Sequence, residues 1–89
     1  MKVMEDKTTL AKRLADYGIH SAWNDPTPEQ QDWGADCIES AIYLLMSDGY
    51  RDDYVLDFGF KKMYLAELCV KARQMREEAK RLRAGEENA

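Results

Sequence analysis

His20 is the only histidine, and Cys37 and Cys69 are the only thiols, so a nucleophile–base pair or a soft-metal site would have to come from these three. Their spacing argues against both. Structural zinc sites draw on closely spaced ligands, whereas these residues are scattered over three separate segments. Neither cysteine has a histidine at a recognisable spacing that would lower its thiol pKa. The five glycines are isolated, so no phosphate-cradling loop is present. No catalytic residue, metal ligand or cofactor is therefore assigned, and the chain is not expected to be an enzyme.

Carboxylates offer a second chemistry. Asp36 and Glu39 share one face of a helical segment, and Asp32 lies one turn earlier. Mg²⁺-dependent all-α nucleotide hydrolases hold the metal between carboxylate pairs on facing helices. Such a site needs a second pair, and only Asp53 with Asp57 could supply it. Carboxylates on a solvated helix face need no such explanation, so this is the weakest of three functional readings.

The remaining chemistry is recognition. Lys71, Arg73, Arg76, Lys80, Arg81 and Arg83 give the C-terminal segment a basic surface that could follow a phosphate backbone or hold a nucleotide. Glu77 and Glu78 interrupt that surface, and Glu77 precedes Arg81 by four residues, the favourable order for an intrahelical pair. Separately, Tyr50, Tyr54, Phe58, Phe60 and Tyr64 crowd into one short stretch with Asp52, Asp53 and Asp57 among them. Aromatic side chains with polar tips dominate binding hot spots. Tyr50, Asp52, Asp53, Tyr54, Asp57, Phe58 and Phe60 are thus the candidate partner-binding patch, although Tyr50, Tyr54 and Phe58 share one helical face and core packing under the second helix is the favoured reading for those three.

Three helices must position these groups. A short first helix is expected over 8–17, capped by Thr8 or Thr9, with Leu10, Leu14 and Tyr17 on its apolar face and Gly18 ending it. The second is expected over 28–48. Thr27 is its N-cap, Pro28 its first residue and Gln30 the far side of a capping box. Its apolar stripe runs through Trp33, Cys37, Ala41, Leu44 and Leu45, joined by Ile38 and Ile42, and Gly34 implies a close helix crossing. A helical turn over 53–58, a break at Gly59 and a long helix over 61–84 complete the reading. No strand is expected.

In that last helix Leu65, Leu68, Ala72, Met75, Ala79 and Leu82 alternate in steps of three and four, the a and d positions of a heptad repeat. At 1.5 Å per residue the helix would be roughly 36 Å long, so the seam beyond Met75 is expected to outrun its own core and to meet a second copy or a different protein. The fold class is thus all-α, a small bundle of one short and two long helices whose C-terminal helix carries a heptad-like seam. Residues 1–84 form the single domain, and 85–89 are expected to be an acidic disordered tail.

Composition bounds the rest. Residues 1–60 carry a net charge of −7 and residues 61–83 one of +5, so an acidic body bears a basic helix. No run of seven apolar residues opens the chain and none approaches a membrane span, so neither a secretory leader nor a membrane helix is expected. Two unpaired, buried thiols fit a reducing, cytoplasmic compartment. The leading expectation is a small non-enzymatic protein-interaction module, an adaptor, regulator or inhibitor of a larger complex, acting as a homodimer or higher homo-oligomer. Phage and mobile-element accessory proteins share its size and composition, an analogy and not a motif. The alternative partner is nucleic acid or a nucleotide on the basic helix.

Overall fold

The computed structural model describes residues 6–87. It is mostly helical: α1 (Lys7–His20), α2 (Pro28–Ser47) and α3 (Leu65–Glu87) form a small bundle, with a two-stranded hairpin, β1 (Val55–Asp57) and β2 (Lys62–Tyr64), inserted before α3. No helix among the described residues is long and apolar enough to cross a membrane.

The start of α2 matches the sequence reading residue for residue. Thr27 Oγ1 accepts from the Gln30 N–H at 3.1 Å, and Gln30 Oε1 accepts from the Thr27 N–H at 2.7 Å. Its end is also as expected. Gly49 has φ +94°, and the Gly49 and Tyr50 N–H groups donate back to the Met46 and Leu45 carbonyls. That is a Schellman ending, which needs a residue free to take positive φ.

Helix α1 departs from expectation at both ends. Its N-cap is Asp6, whose carboxylate accepts from the Thr9 N–H and the Thr8 hydroxyl and is held below its usual pKa by those bonds. Gly18 is not a cap but a buried residue inside the helix, which continues to His20. The reason is its neighbour: Gly18 and Gly34 cross so closely that a Cβ on Gly18 would lie 2.5 Å from the Gly34 carbonyl oxygen. The crossing anticipated at Gly34 is there, and both partners are glycine.

That contact also relocates the core. Mostly small residues line the buried faces of these two helices, with Ile38 the large exception: Ala11, Ala15 and Gly18 are buried on α1, and Gly34, Ala35, Ile38 and Ala41 on α2. Ile38 and Leu45 are buried as expected, but other large residues expected inside are displaced to the flank. Leu10, Tyr17 and Trp33 are exposed, while Leu14, Cys37 and Leu44 are half-buried.

The hairpin replaces the expected helical turn over 53–58, and residues 61–64 lie in the hairpin instead of the last helix, 62–64 as β2. Leu56 pairs with Met63, and both side chains are buried beneath the strands. The Phe58 N–H donates to the Lys61 carbonyl at 2.9 Å, closing a two-residue loop of Gly59 and Phe60. Gly59 sits at φ +89°, as the first loop position of a type II′ turn requires. The first N–H groups of α3 are satisfied by the hairpin base: Leu65 donates to the Tyr54 carbonyl at 2.8 Å and Ala66 to that of Asp52 at 3.3 Å.

Helix α3 runs antiparallel to α2, and the heptad seam is their contact. Leu65, Leu68, Ala72, Met75 and Ala79 are all buried within the single chain, and Leu82 is half-buried. The seam does not outrun its core. Arg83 still reaches Asp32, in the second turn of α2, at 2.6 Å. Helix α3 also continues through Gly85, Glu86 and Glu87 of the expected disordered tail, since nothing at Gly85 stops it. The last two tail positions, Asn88 and Ala89, lie outside the described residues.

Candidate functional site

The chain leaves α1 through a turn in which the Trp23 N–H donates to the His20 carbonyl at 3.1 Å. Asn24 and Asp25 follow in left-handed geometry, φ 61° and 56°, which short polar side chains tolerate. This turn carries Trp23 outward. The hairpin tip delivers Phe58 and Phe60 to the same place. His20 lies tilted against Trp23, with ring centres 4.2 Å apart and planes at 49°, and meets Phe60 edge-on at 5.4 Å. Phe60 lies 5.8 Å from Trp23 and 6.0 Å from Phe58. Four rings from three segments thus form one surface cluster, with Trp23 50% and Phe60 48% exposed.

The rings are fixed from below. Asp57 Oδ1 accepts from the Gly59 N–H at 2.9 Å, which locks the turn bearing Phe60. His20 Nδ1 lies 2.8 Å from the Asp16 carbonyl oxygen and 3.2 Å from its carboxylate. The rings form a partly exposed aromatic surface at the hairpin tip.

The structure divides the expected partner-binding patch. Phe58 and Phe60 join the cluster, and Asp57 supports it. Tyr50 and Tyr54 instead meet in a tilted pair with ring centres 4.3 Å apart and pack against the core, where burial, with Tyr50 and Asp6 nearby, pushes the Tyr54 phenol up. Asp52 and Asp53 are exposed at the hairpin base, five to eight residues along an extended chain from the tip. His20 and Trp23 were not anticipated. The signal that could have found them is the pairing implied by Gly59–Phe60: once the hairpin is drawn, its tip returns toward the end of α1.

The basic helix is largely committed within the chain. Arg76 donates to Glu39 (3.2 and 2.5 Å), Asp36 and Asp32 (3.4 Å) and is held above its usual pKa, chiefly by Glu39 and Asp36. Arg83 pairs with Asp32, and Arg81 with Glu78, three residues before it, instead of with Glu77, the partner expected from spacing. Lys71 is half-buried, and Arg73 and Lys80 are exposed. The carboxylates considered for Mg²⁺ are the same ones that bind Arg76. Asp53 and Asp57 lie on the hairpin arm and do not face them, so the carboxylate pairs a two-sided metal site would need are not opposed. Among the described residues no three His, Cys, Asp or Glu side chains are grouped so as to hold a metal ion.

Both cysteines are unpaired and only half-buried, against the expectation of full burial. Desolvation and the Asp36 charge push the Cys37 thiol up, away from the thiolate a nucleophile needs.

Arg76→Ala is expected to cost about 1–2 kcal/mol, because it leaves Asp32, Asp36 and Glu39 facing one another. Charge-assisted bonds can contribute more, but this guanidinium is partly exposed and screened. Urea unfolding at low and high salt checks it: the loss should shrink as salt screens the three carboxylates.

Comparison with known proteins leaves the site to its own geometry: no family model, no curated protein and no solved structure matches the chain.

Proposed function

We propose that this protein is a non-enzymatic interaction module, an adaptor or regulator that binds another protein through the His20–Trp23–Phe58–Phe60 cluster. The observation that carries the reading is that cluster itself. Two large aromatic side chains stand half exposed, braced by two further rings and a hydrogen-bonded turn. Such rings bury much area at little conformational cost. Apolar side chains on the partner are the matching chemistry.

Binding of nucleic acid or a nucleotide by α3 has less support, because Arg76, Arg81 and Arg83 are already paired with carboxylates. Dissociation of those pairs would offset part of any phosphate contact.

The test compares wild type with Phe60→Ala and Trp23→Ala. Proteins captured from a host lysate are identified, and the affinity of the purified candidate is then measured. Each substitution should weaken binding tenfold or more, whereas Val70→Ala, exposed on α3, should leave it unchanged. Equal affinity for wild type and both cluster variants would refute the reading.

A further inference from the structure

The hairpin register decides which backbone groups of its strands are used. The Phe58 N–H bonds to the Lys61 carbonyl and the Leu65 N–H to the Tyr54 carbonyl, so these are hydrogen-bonded pairs of the ladder. In an antiparallel ladder such pairs alternate with pairs that do not bond across it. Leu56 and Met63 are therefore the bonded pair between them, and the N–H and C=O groups of Val55 and Asp57 point away from β2. None of these four groups has a partner among the described residues. The outer edge of β2 is partly closed, since the Tyr64 N–H donates to Glu67 Oε1 at 3.1 Å.

The open edge of β1 lines a groove of about 290 Å³ whose far wall is α1, with Thr9 and Lys12 across from residues 54–57. Four consecutive residues share one groove only along the edge of a strand, because each face shows alternate residues. A second hollow, bounded by the same Thr9 and Lys12 and by Phe58, continues it to the hairpin tip. The two form one channel from the hairpin base to the ring cluster.

We infer that this channel takes an extended segment of the partner protein, which adds to β1 as a third strand and runs on to the rings. The inference deepens the reading of the cluster as a protein contact, and rests on it for the far end of the segment. Three features select this occupant. The first is the row of unpaired donors and acceptors, which another extended backbone matches at the same spacing. The second is the wall: α1 lies along the edge in every copy, so the hairpins of two copies cannot pair edge to edge, whereas a free segment has nothing on its far side.

The third is charge. Lys12 has no carboxylate partner among the described residues, and the Asp57 carboxylate is turned to the Gly59 N–H. Further along, Arg13 and Asp16 are of opposite sign and cancel. The segment residue beside Leu56 points into the groove, as Leu56 does, and is expected to be Asp or Glu. Its neighbours lie on the outer face beside Val55, which is 44% exposed, and are expected to be β-branched or aromatic. Val55 and Phe58 are about 10 Å apart along the strand, so roughly five or six residues reach from the open edge to Phe60.

Nine-residue peptides selected on the full chain from a random displayed library are the probe. Bound peptide should slow amide exchange at Val55 and Asp57 at least tenfold and leave Lys62, on the other edge, unchanged. Val55→Pro removes an outward N–H without removing a ladder bond, a substitution edge strands tolerate, and should weaken binding at least tenfold. Lys62→Pro, the same change on β2, should not. Lys12→Glu should weaken the acidic peptides. Should Val55→Pro lose the hairpin, the exchange measurement on wild type gives the reading. Recovery of no peptide, or peptides that bind without slowing exchange at Val55 and Asp57, overturns the inference. Loss of partner binding in Phe60→Ala but not in Val55→Pro would sink the strand addition and keep the ring cluster; equal binding by both variants would sink the two together.

Discussion

Met75→Lys is expected to unfold this protein, not to separate two copies of it. Met75 is 2% exposed, sits at a seam position of α3, and directs its methyl group at the Gly34 backbone. Placing an ammonium there removes packing worth about 2–5 kcal/mol by analogy with core truncations. It also buries a charge whose effective desolvation costs several kcal/mol. Arg76 is next along the helix, so no cation-accepting partner is gained. A lysine can recover part of this by extending its stem toward water, which leaves an expected loss of about 4 kcal/mol or more. Domains are stable by only about 5–15 kcal/mol, so a large unfolded fraction should appear in far-UV circular dichroism and urea titration. Met75→Leu, which keeps the volume, should cost less than about 1.5 kcal/mol. A folded Met75→Lys monomer with an unchanged urea midpoint would mean that the α2–α3 packing is not intrachain.

The same residue shows what the sequence could and could not convey. The three-and-four spacing of Leu65, Leu68, Ala72, Met75 and Ala79 correctly marks the buried face of α3. Spacing names a face, however, and not what lies against it. Because α2 runs back along α3 as far as the Asp32–Arg83 pair, the face is filled from within.

At Thr27–Gln30 the reading was complete, since a capping box is local and both partners lie within four residues. At 53–64 it failed because Tyr50, Tyr54 and Phe58 fit a helical period while Leu56 and Met63 fit a strand period. The two-residue loop after Phe58 decides between them, and its hydrogen bond to Lys61 is invisible in composition. The aromatic cluster was missed for a related reason. Two of its rings come from the end of α1, and only the hairpin's return brings them together. The apolar stripes were the opposite error: their size suggested core, but two glycines and several alanines let the helices approach too closely for Leu10, Tyr17 and Trp33 to fit between them.

That close approach makes Gly18→Ala the second large effect. In an exposed helix interior, glycine to alanine gains about 1 kcal/mol, and Gly85→Ala, in the last turn of α3, should gain a fraction of that, since nothing lies within 4 Å of the added carbon. At Gly18 the new methyl meets the Gly34 carbonyl oxygen and Ile38 Cγ1, each at 2.5 Å. Ile38 can rotate, but the carbonyl is backbone inside α2 and cannot move without shifting the helix. The reciprocal site is no easier. A Cβ on Gly34 would stand 2.8 Å from the Gly18 carbonyl oxygen, with Ser21 Oγ and the Met75 methyl closer still.

Ser21 Oγ donates to the Gly18 carbonyl at 2.7 Å, so moving α1 also disturbs the turn that leads to Trp23. The expected net loss for Gly18→Ala is about 2–3 kcal/mol after the helix gain is subtracted. At about 4–8 °C per kcal/mol for a domain of this size, the melting temperature should fall by roughly 8–24 °C. A thermal melt of Gly18→Ala beside Gly85→Ala reads both signs in one experiment. Equal stabilisation by the two would mean that α1 and α2 do not cross at these glycines. The contact that holds the bundle together, the flank that exposes Tyr17 and Trp33, and the placement of the ring cluster would then all lose their common support.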